Sequence, residues 1–156
     1  MRRGAAFVLA MIALSGSGCS VRKFAADRLG SALAAGNSAW AEDDDPVLVG
    51  DALPFALKTL ESLIAESPTN PELLLGTCRG FVSYAAGFVE PELDELPLAE
   101  LERATAVRDR ALRLHLRARG YCRRALAVRF PEAAPSLDAD PRSALAAVPR
   151  EGVDLL

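Results

Sequence analysis

The sequence has few aromatic residues and no segment with the pattern of a β-strand. Aromatic side chains make up 6% of the 156 residues, and 51% of the residues are hydrophobic. Alanine, leucine and arginine dominate, and no β-branched stretch alternates with the period of two that a half-buried strand requires. These absences predict an all-α protein. The length and the formal net charge of -3 suit one compact domain.

The sequence also has few residues from which catalytic or metal sites are built. His115 is its only histidine, so a histidine zinc site, a Ser/His/Asp triad or a Cys/His pair would have to use this one ring. Its neighbours Arg113, Arg117 and Arg119 are cations, which disfavour a bound metal and an activating imidazolium. No Gly-rich phosphate loop, CxxC pair or GxSxG motif occurs. The sequence therefore predicts no enzymatic activity, no cofactor and no metal.

Three consecutive carboxylates open the stretch DDDPVLVGDALPFALK at residues 43–58. An EF-hand loop needs spaced oxygen ligands, a glycine at its turn and a closing glutamate, and this stretch has none of that spacing. We interpret the acids as a solvated connector in which Asp45 caps a helix that starts at Pro46. The apolar pattern continues past Pro54, where the helix either kinks or restarts.

The N-terminal 18 residues have the layout of a secretory signal. Arg2 and Arg3 precede an apolar stretch from Ala5 to about Leu14, and small residues follow. The apolar stretch is shorter than the roughly 20 residues that a membrane-spanning helix needs. We expect residues 1–18 to be a targeting segment and the rest of the chain to be exported.

The sequence GSGC at residues 16–19 resembles a bacterial lipobox. Small residues there give the signal peptidase access, and the thiol of Cys19 would accept a diacylglyceryl group. The alternative is an ordinary secreted protein with a chance cysteine. Ser20, in place of an aspartate, favours sorting to the outer membrane. We therefore expect a periplasmic lipoprotein that is held to the membrane by a lipid on Cys19.

Apolar residues at helical spacing predict four main helices. They run from about 21 to 36, from 47 to 67, from 71 to 89 and from about 98 to 128. Three of the helix starts combine a capping side chain with a proline at the first helical position. These pairs are Asp45-Pro46, Asn70-Pro71 and Asp140-Pro141. Antiparallel pairs with short connectors predict a tetratricopeptide-like helical stack over residues 19–130, followed by a Pro-rich tail, residues 131–156, with one short helix.

Cys78 and Cys122 are predicted to be buried and unpaired. If residues 71–89 and 98–130 form an antiparallel hairpin, Cys78 lies level with about residue 109. Cys122 would then lie about 20 Å further along the axis at about 1.5 Å per residue. A disulfide requires a Cα–Cα distance between about 4.4 and 6.8 Å.

Arginines are concentrated on the last long helix. They are Arg103, Arg108, Arg110, Arg113, Arg117, Arg119, Arg123, Arg124 and Arg129. One interpretation is a solvated face that forms salt bridges with the acidic segments, and the other is a surface for an anionic ligand or an acidic partner. Export through the envelope and the lack of interleaved aromatic residues argue against nucleic acid.

Bulky aromatic residues follow one face of the third predicted helix. Phe81, Tyr84 and Phe88 lie three and four residues apart, which is the spacing of a helix face. Core packing is the default interpretation. The functional alternative is a ligand groove or an interface, to which Arg113 and Arg117 of the last helix would contribute.

The stretch at residues 43–89 and the later run RDRALRLHLRARGYCRRAL resemble the T-component family of tripartite ATP-independent periplasmic (TRAP) transporters, the TatT lipoproteins. The run DPxLVxxALPFALKxxESL, from Asp45 to Leu63, is the most specific part of a resemblance that covers about residues 17–156. The resemblance implies a periplasmic lipoprotein with a tetratricopeptide-like fold, assembled as a trimer around a pore. It also implies association with the substrate-binding P subunit and help in delivering a ligand, a hydrophobic one.

Members of this family are longer. At the position where this sequence reads Asp154-Leu155-Leu156, their chain enters a further helical half. We therefore expect the chain to correspond to the N-terminal portion of the family. The predicted function is that of an accessory lipoprotein that binds a TRAP substrate-binding protein. The alternatives are a generic helical-repeat scaffold of the envelope and a direct carrier of a hydrophobic ligand. An enzyme would remain an option only if His115 were essential.

Overall fold

The computed structural model describes residues 18–35, 42–146 and 148–149, and every regular element in those ranges is helical. The helices are α1 (Gly18–Ala35), α2 (Pro46–Glu66), α3 (Pro71–Tyr84), α4 (Glu92–Glu95), α5 (Leu101–Arg129) and α6 (Pro141–Ala146). A π-helical segment, Ala85–Val89, continues α3, and a 3-10 turn, Ala134–Ser136, precedes α6. The all-α prediction is confirmed. The tetratricopeptide-like arrangement stays a prediction.

The proposed targeting segment lies almost entirely outside the described residues, and so does the predicted end of the first helix near residues 36–37. Within the described ranges, no helix combines the length and the apolar character that crossing a bilayer requires.

Local capping sets the starts of α2, α3 and α6. The Asp45 carboxylate accepts hydrogen bonds from the second and third backbone amides that follow it, at 3.1 and 3.0 Å. The Asn70 side chain accepts one from the Leu73 amide at 2.9 Å, and Asp140 accepts one from the Ser143 amide at 3.2 Å. Each cap satisfies amides that have no partner within the helix, so the three predicted starts are confirmed.

α2 runs through Pro54 without interruption, so the helix does not restart there. Pro54 is exposed and lacks an amide proton, which leaves one carbonyl of the preceding turn without its helical hydrogen bond. Solvent at this face can satisfy that carbonyl. Pro54 is therefore tolerated inside a helix of 21 residues.

α3 is the central helix of the bundle. Six consecutive residues, Leu73 to Cys78, are buried, which requires neighbours all around the helix. α1, α2 and α5 supply them. The main core consists of Leu57, Leu60, Ile64, Leu73, Leu74, Leu75, Cys78, Phe81, Ala118, Ala125 and Leu126.

Asp27 of α1 is hydrogen-bonded to the connector between α2 and α3. Its carboxylate accepts hydrogen bonds from Lys23 at 2.7 Å, from the Ser67 hydroxyl, and from the Asn70 amide nitrogen at 3.1 Å. These hydrogen bonds, the one from Lys23 foremost, lower the pKa of Asp27 from 3.8 to about 2. Because Asn70 also caps α3, one carboxylate links α1 to the start of the central helix.

α5 buries mainly small residues against its neighbours. Val107, Ala111, Ala118 and Ala125 are buried. Val128, three heptads after Val107, continues this spacing but is exposed, and Leu126 is buried in its place. A strict repeat of three and four residues drifts by about 20° per heptad on a straight helix. Over three heptads that drift turns Val128 away from the core.

Cys78 and Cys122 form a disulfide with a Cα–Cα distance of 5.4 Å, so the prediction of two unpaired cysteines is wrong. The error lies in the assumed register of α3 against α5. The connector does not reverse the chain tightly: Leu93 and Leu96 fold back onto the first turns of α5 and pack around Val107 and Ala111. Those turns extend beyond α3, and the later half of α5 lies level with Cys78.

Candidate functional site

Phe81 and Arg117, two of the five predicted groove residues, lie together on the main core. Phe81 is buried and stacks on Tyr121 with ring centroids 6.0 Å apart. The Arg117 guanidinium carbon lies 5.1 Å from the centroid of the Phe81 ring. Phe81 therefore contributes to core packing, and Arg117 covers its outer face.

A carboxylate of α2 completes this cluster. Glu61 accepts hydrogen bonds from Arg117 Nη2 at 2.7 Å, from the Tyr121 hydroxyl at 2.7 Å and from Lys58 Nζ at 2.7 Å. Arg117 Nε donates a second bond to the same carboxylate, which makes the pair bidentate. The Glu61 side chain is 10% exposed. It joins α2 to α5 and has no free face with which to bind a substrate.

The titration behaviour of this cluster follows from its geometry. Partial burial raises the pKa of Glu61, but the hydrogen bonds from Lys58, Tyr121 and Arg117 outweigh burial, so the pKa lies below its usual value. Burial and the hydrogen bond to Glu61 raise the pKa of the Tyr121 hydroxyl. Burial lowers the pKa of Arg117, and the hydrogen bonds to Glu61 more than offset it. The cluster is thus a stable ion pair at neutral pH.

Tyr84 and Phe88 form a second row, about one turn further along α3. Their rings stack with centroids 5.9 Å apart. Phe88 abuts Gly50 of α2, where an added Cβ would come within 2.7 Å of the ring. On the other side, Arg110 donates a hydrogen bond to the Tyr84 hydroxyl at 3.0 Å and lies over its ring. The row therefore connects α2 to α5, as the Glu61 cluster does.

Arg113 is the remaining predicted groove residue. It is exposed on α5, between the arginines of the two rows, and has no ion-pair or hydrogen-bond partner among the described residues. The structure therefore divides the predicted set between two packed rows and one free cation. Sequence spacing placed these residues on shared helix faces and gave no information about the carboxylate that occupies Arg117.

Most of the arginines of α5 have partners nearby, which supports the salt-bridge interpretation of this face. The pairs are Arg103 with Glu100, Arg110 with Glu92, Arg117 with Glu61, Arg119 and Arg123 with Asp138, and Arg124 with the Pro68 carbonyl. In the described part of the chain, Arg108, Arg113 and Arg129 lack such partners. These three are the cations that remain available to an anion.

A cleft of about 600 Å³ opens between the π-helical segment, α4 and α5. Its lining residues are Ala86, Glu90, Pro91, Leu93, Asp94, Arg108, Ala111, Leu112 and His115. His115 Nε2 lies 2.7 Å from Glu90 Oε1, so the one histidine pairs with a carboxylate at this cleft. Sequence reasoning missed the cleft. The sequence signal for this cleft was the run of small residues before a proline in AAGFVEPELDELP.

The acidic run at residues 43–45 is engaged with its own backbone. Asp43 accepts a hydrogen bond from the Asp45 amide at 2.9 Å, and Asp45 caps α2. In the residues that the structure describes, no group of three or more His, Cys, Asp or Glu side chains is arranged to hold a metal ion. The hydrogen bonds that Asp45 accepts from backbone amides support its interpretation as the cap of α2.

Apolar side chains are exposed on α2, within the run from Asp45 to Leu63. Val47 is 72% exposed, Leu48 is 58% exposed and Phe55 is 78% exposed. We call Val47, Leu48 and Phe55 the α2 patch. Such a patch on an outer helix face is typical of a surface that binds another protein.

A family model described as TRAP transporter T-component matches residues 42–156. The chain belongs to this family. The resemblance inferred from the sequence is thereby confirmed, and the family is one of transporter accessory components, not of enzymes. The match includes the α2 patch, both aromatic rows and the cleft, and it begins after α1.

An uncharacterized protein of Treponema pallidum (strain Nichols) is 34% identical over 92 residues. The aligned region covers 59% of this chain and 28% of that relative. The aligned part of the chain thus spans less than a third of the length of the relative. No solved structure matches the chain.

Proposed function

We propose that the protein is a non-enzymatic accessory subunit of a TRAP-type transport system. It is held in the periplasm by a lipid on Cys19, after removal of residues 1–18, and is sorted to the outer membrane. It binds the periplasmic substrate-binding subunit, assists delivery of the ligand and acts as a homotrimer. The observation that carries this proposal is the match to the TRAP T-component family over residues 42–156.

The α2 patch is the surface that we assign to the substrate-binding subunit. Burying a large apolar side chain stabilises an interface by about 1.5–3 kcal/mol, and exposed aromatic residues are frequent binding hot spots. Phe55 and Val47 retain most of this gain because they are largely exposed in the free chain. Charged Asp51 and Lys58 lie beside the patch on the exposed face of α2 and provide a polar rim.

Binding of the purified substrate-binding protein tests this proposal. The full chain carrying Cys19→Ser is immobilised, and the dissociation constant is measured by biolayer interferometry. Phe55→Ala is expected to weaken binding by about tenfold or more, since loss of about 1.4 kcal/mol is tenfold in affinity. Leu116→Ala is the matched control, because Leu116 is 53% exposed on α5, away from the patch.

The outcomes separate the surface from the function. Weakening by Leu116→Ala alone would move the docking surface to α5 and leave the function standing. No binding by any variant, together with recovery of envelope-assembly proteins in a pull-down, would favour the generic scaffold instead. Full transport with His115→Gln is expected, and its loss would revive an enzymatic role.

Direct carriage of a small apolar ligand is a second candidate function, favoured by the cleft. Its volume of about 600 Å³ lies in the range of small-molecule sites, and Ala86, Leu93, Ala111 and Leu112 supply an apolar lining. Native mass spectrometry of the Cys19→Ser chain is expected to detect a copurified molecule that Ala86→Trp excludes. Equal occupancy in both variants, or none in either, would count against the cleft as a carrier site.

A further inference from the structure

α1 has apolar side chains on two opposite faces. Its inner face, with Ala26 and Gly30, packs on the bundle: Ala26 is buried, and a Cβ at Gly30 would lie 2.9 Å from Leu73 Cδ2. At about 100° per residue, Val21 and Phe24 lie on the opposite face. They are 63% and 61% exposed. Packing within the described bundle therefore explains only one of the two apolar faces.

A cation lies on the outer face. The Arg28 guanidinium carbon lies 5.3 Å from the centroid of the Phe24 ring, on the same face. Arg22 and Lys23 are exposed in the same turns but flank the inner face, where they pair with Glu66 and with Asp27. α1 thus carries an excess of positive charge in a chain whose overall charge is negative.

The outer face of α1 lies close along the chain to the proposed site of lipidation. Cys19 precedes Val21 by two residues and Phe24 by five, which is roughly 3 and 8 Å along a helix axis. A lipid on Cys19 would keep these side chains within reach of phospholipid headgroups. The family match begins after α1, so the matched segment gives no account of its outer face.

We propose that the outer face of α1, formed by Val21, Phe24 and Arg28, is a membrane-contact surface. The aliphatic and aromatic side chains lie at the boundary between headgroups and acyl chains, and the guanidinium binds a lipid phosphate. This contact gives the bundle a second attachment beside the lipid, so that it lies in a fixed orientation on the bilayer instead of swinging from one flexible anchor. The inference rests on the proposed lipidation of Cys19.

Tryptophan fluorescence in vesicles tests the contact. Trp40 is the only tryptophan in the sequence, so Trp40→Phe provides a dark background for Phe24→Trp. The lipidated protein is reconstituted in phosphatidylethanolamine/phosphatidylglycerol vesicles with or without brominated acyl chains. We expect brominated lipid to reduce the emission of the Phe24→Trp probe at least twofold. Leu116→Trp is the matched control, since α3 lies between α1 and α5, and it is expected to remain unquenched.

Equal quenching of the two probes, or quenching of neither, would overturn the proposed surface. Burial of the Phe24→Trp probe in the absence of vesicles, with an emission that depends on protein concentration, would assign the face to a second copy of the chain and would also overturn the proposal. Both probe positions are exposed, so neither substitution disturbs the core.

A second measurement separates this proposal from the proposed anchoring. The mass of the purified protein shows directly whether Cys19 carries a lipid. Independently, the Cys19→Ser chain is sedimented with the same vesicles, and Phe24→Ser or Arg28→Gln is expected to reduce the bound fraction at least threefold, while Leu116→Ser leaves it unchanged. A chain that is not lipidated but shows these effects would refute the anchor and retain the surface. A lipidated chain without them would refute the surface alone.

Discussion

Removal of the Cys78–Cys122 disulfide should cost a large part of the stability of the bundle. The bond closes a loop with a sequence separation of 44 residues between α3 and α5. In the chain-entropy treatment, cross-linking a loop of this length restricts the unfolded chain by an amount equivalent to about 4 kcal/mol at 25 °C. The variant that tests this carries Cys78→Ser and Cys122→Ser in a Cys19→Ser background, so that no third thiol interferes.

Urea unfolding followed by circular dichroism measures the effect. With a slope of about 2 kcal/mol per molar urea, a loss of about 4 kcal/mol lowers the unfolding midpoint by about 2 M. Cys19→Ser alone is the reference, measured with and without reductant. Because Cys78 is buried, reduction has to be carried out on the unfolded chain before refolding. The reduced reference and the double serine variant should then unfold at similar urea concentrations.

Mass spectrometry provides the decisive control for this reasoning. Reduction of the unfolded protein should add the mass of two hydrogen atoms, which corresponds to one disulfide. If the mass did not change, the register of α3 against α5 described above would be incorrect. If the bond were present but the midpoint moved by less than about 0.5 M, the loop between the cysteines would retain structure in the unfolded state, and the entropic estimate would fail.

Three further predictions follow from the contacts, and two of them have a matched control substitution. Glu61→Gln should lower the free energy of unfolding by about 1–2 kcal/mol, because it weakens charge-assisted hydrogen bonds, whereas Arg113→Gln should change it by less than about 0.5 kcal/mol. Because the folded pKa of Asp27 is about 2 against 3.8, its carboxylate stabilises the fold above about pH 4, and this contribution is lost as the pH falls towards 2. Asp27→Asn should therefore flatten the melting temperature between about pH 4 and pH 2; an unchanged slope would contradict the assigned hydrogen bonds. Gly50→Ala should destabilise the fold by about 1–2 kcal/mol through its clash with an aromatic ring, while Gly120→Ala, which has open space around it, should stabilise the fold by about 1 kcal/mol.

The helix starts were predictable because they depend on neighbours in the sequence. A carboxylate or amide side chain followed by proline satisfies free amides within three residues, whatever the rest of the chain does. Asp45 and Asn70 behave in this way.

The register between α3 and α5 was not predictable, because it depends on the path of the connector. A tight reversal and a folded connector are compatible with the same helical periodicity, and they place Cys78 opposite different residues of α5. Leu93 and Leu96 decide between them by packing on α5. Their apolar character was visible in the sequence, but the surface that they cover was not. The cleft beside α4 was missed for the same reason, since it exists only because the connector folds back.

Helix spacing predicts only some features of the candidate groove. Spacing assigns Phe81, Tyr84 and Phe88 to one side of α3, and Arg113 and Arg117 to one side of α5, but it does not say which cation already has a partner. Glu61, from a third helix, binds Arg117 at 2.7 Å and converts a candidate ligand-binding arginine into part of a structural bridge. Arg113 lies one turn away, is exposed and lacks such a partner among the described residues. An anionic ligand or partner that approaches this face would therefore be recognised by Arg113 and not by the bridged arginines, since displacing Glu61 would break a bidentate pair before any new contact formed.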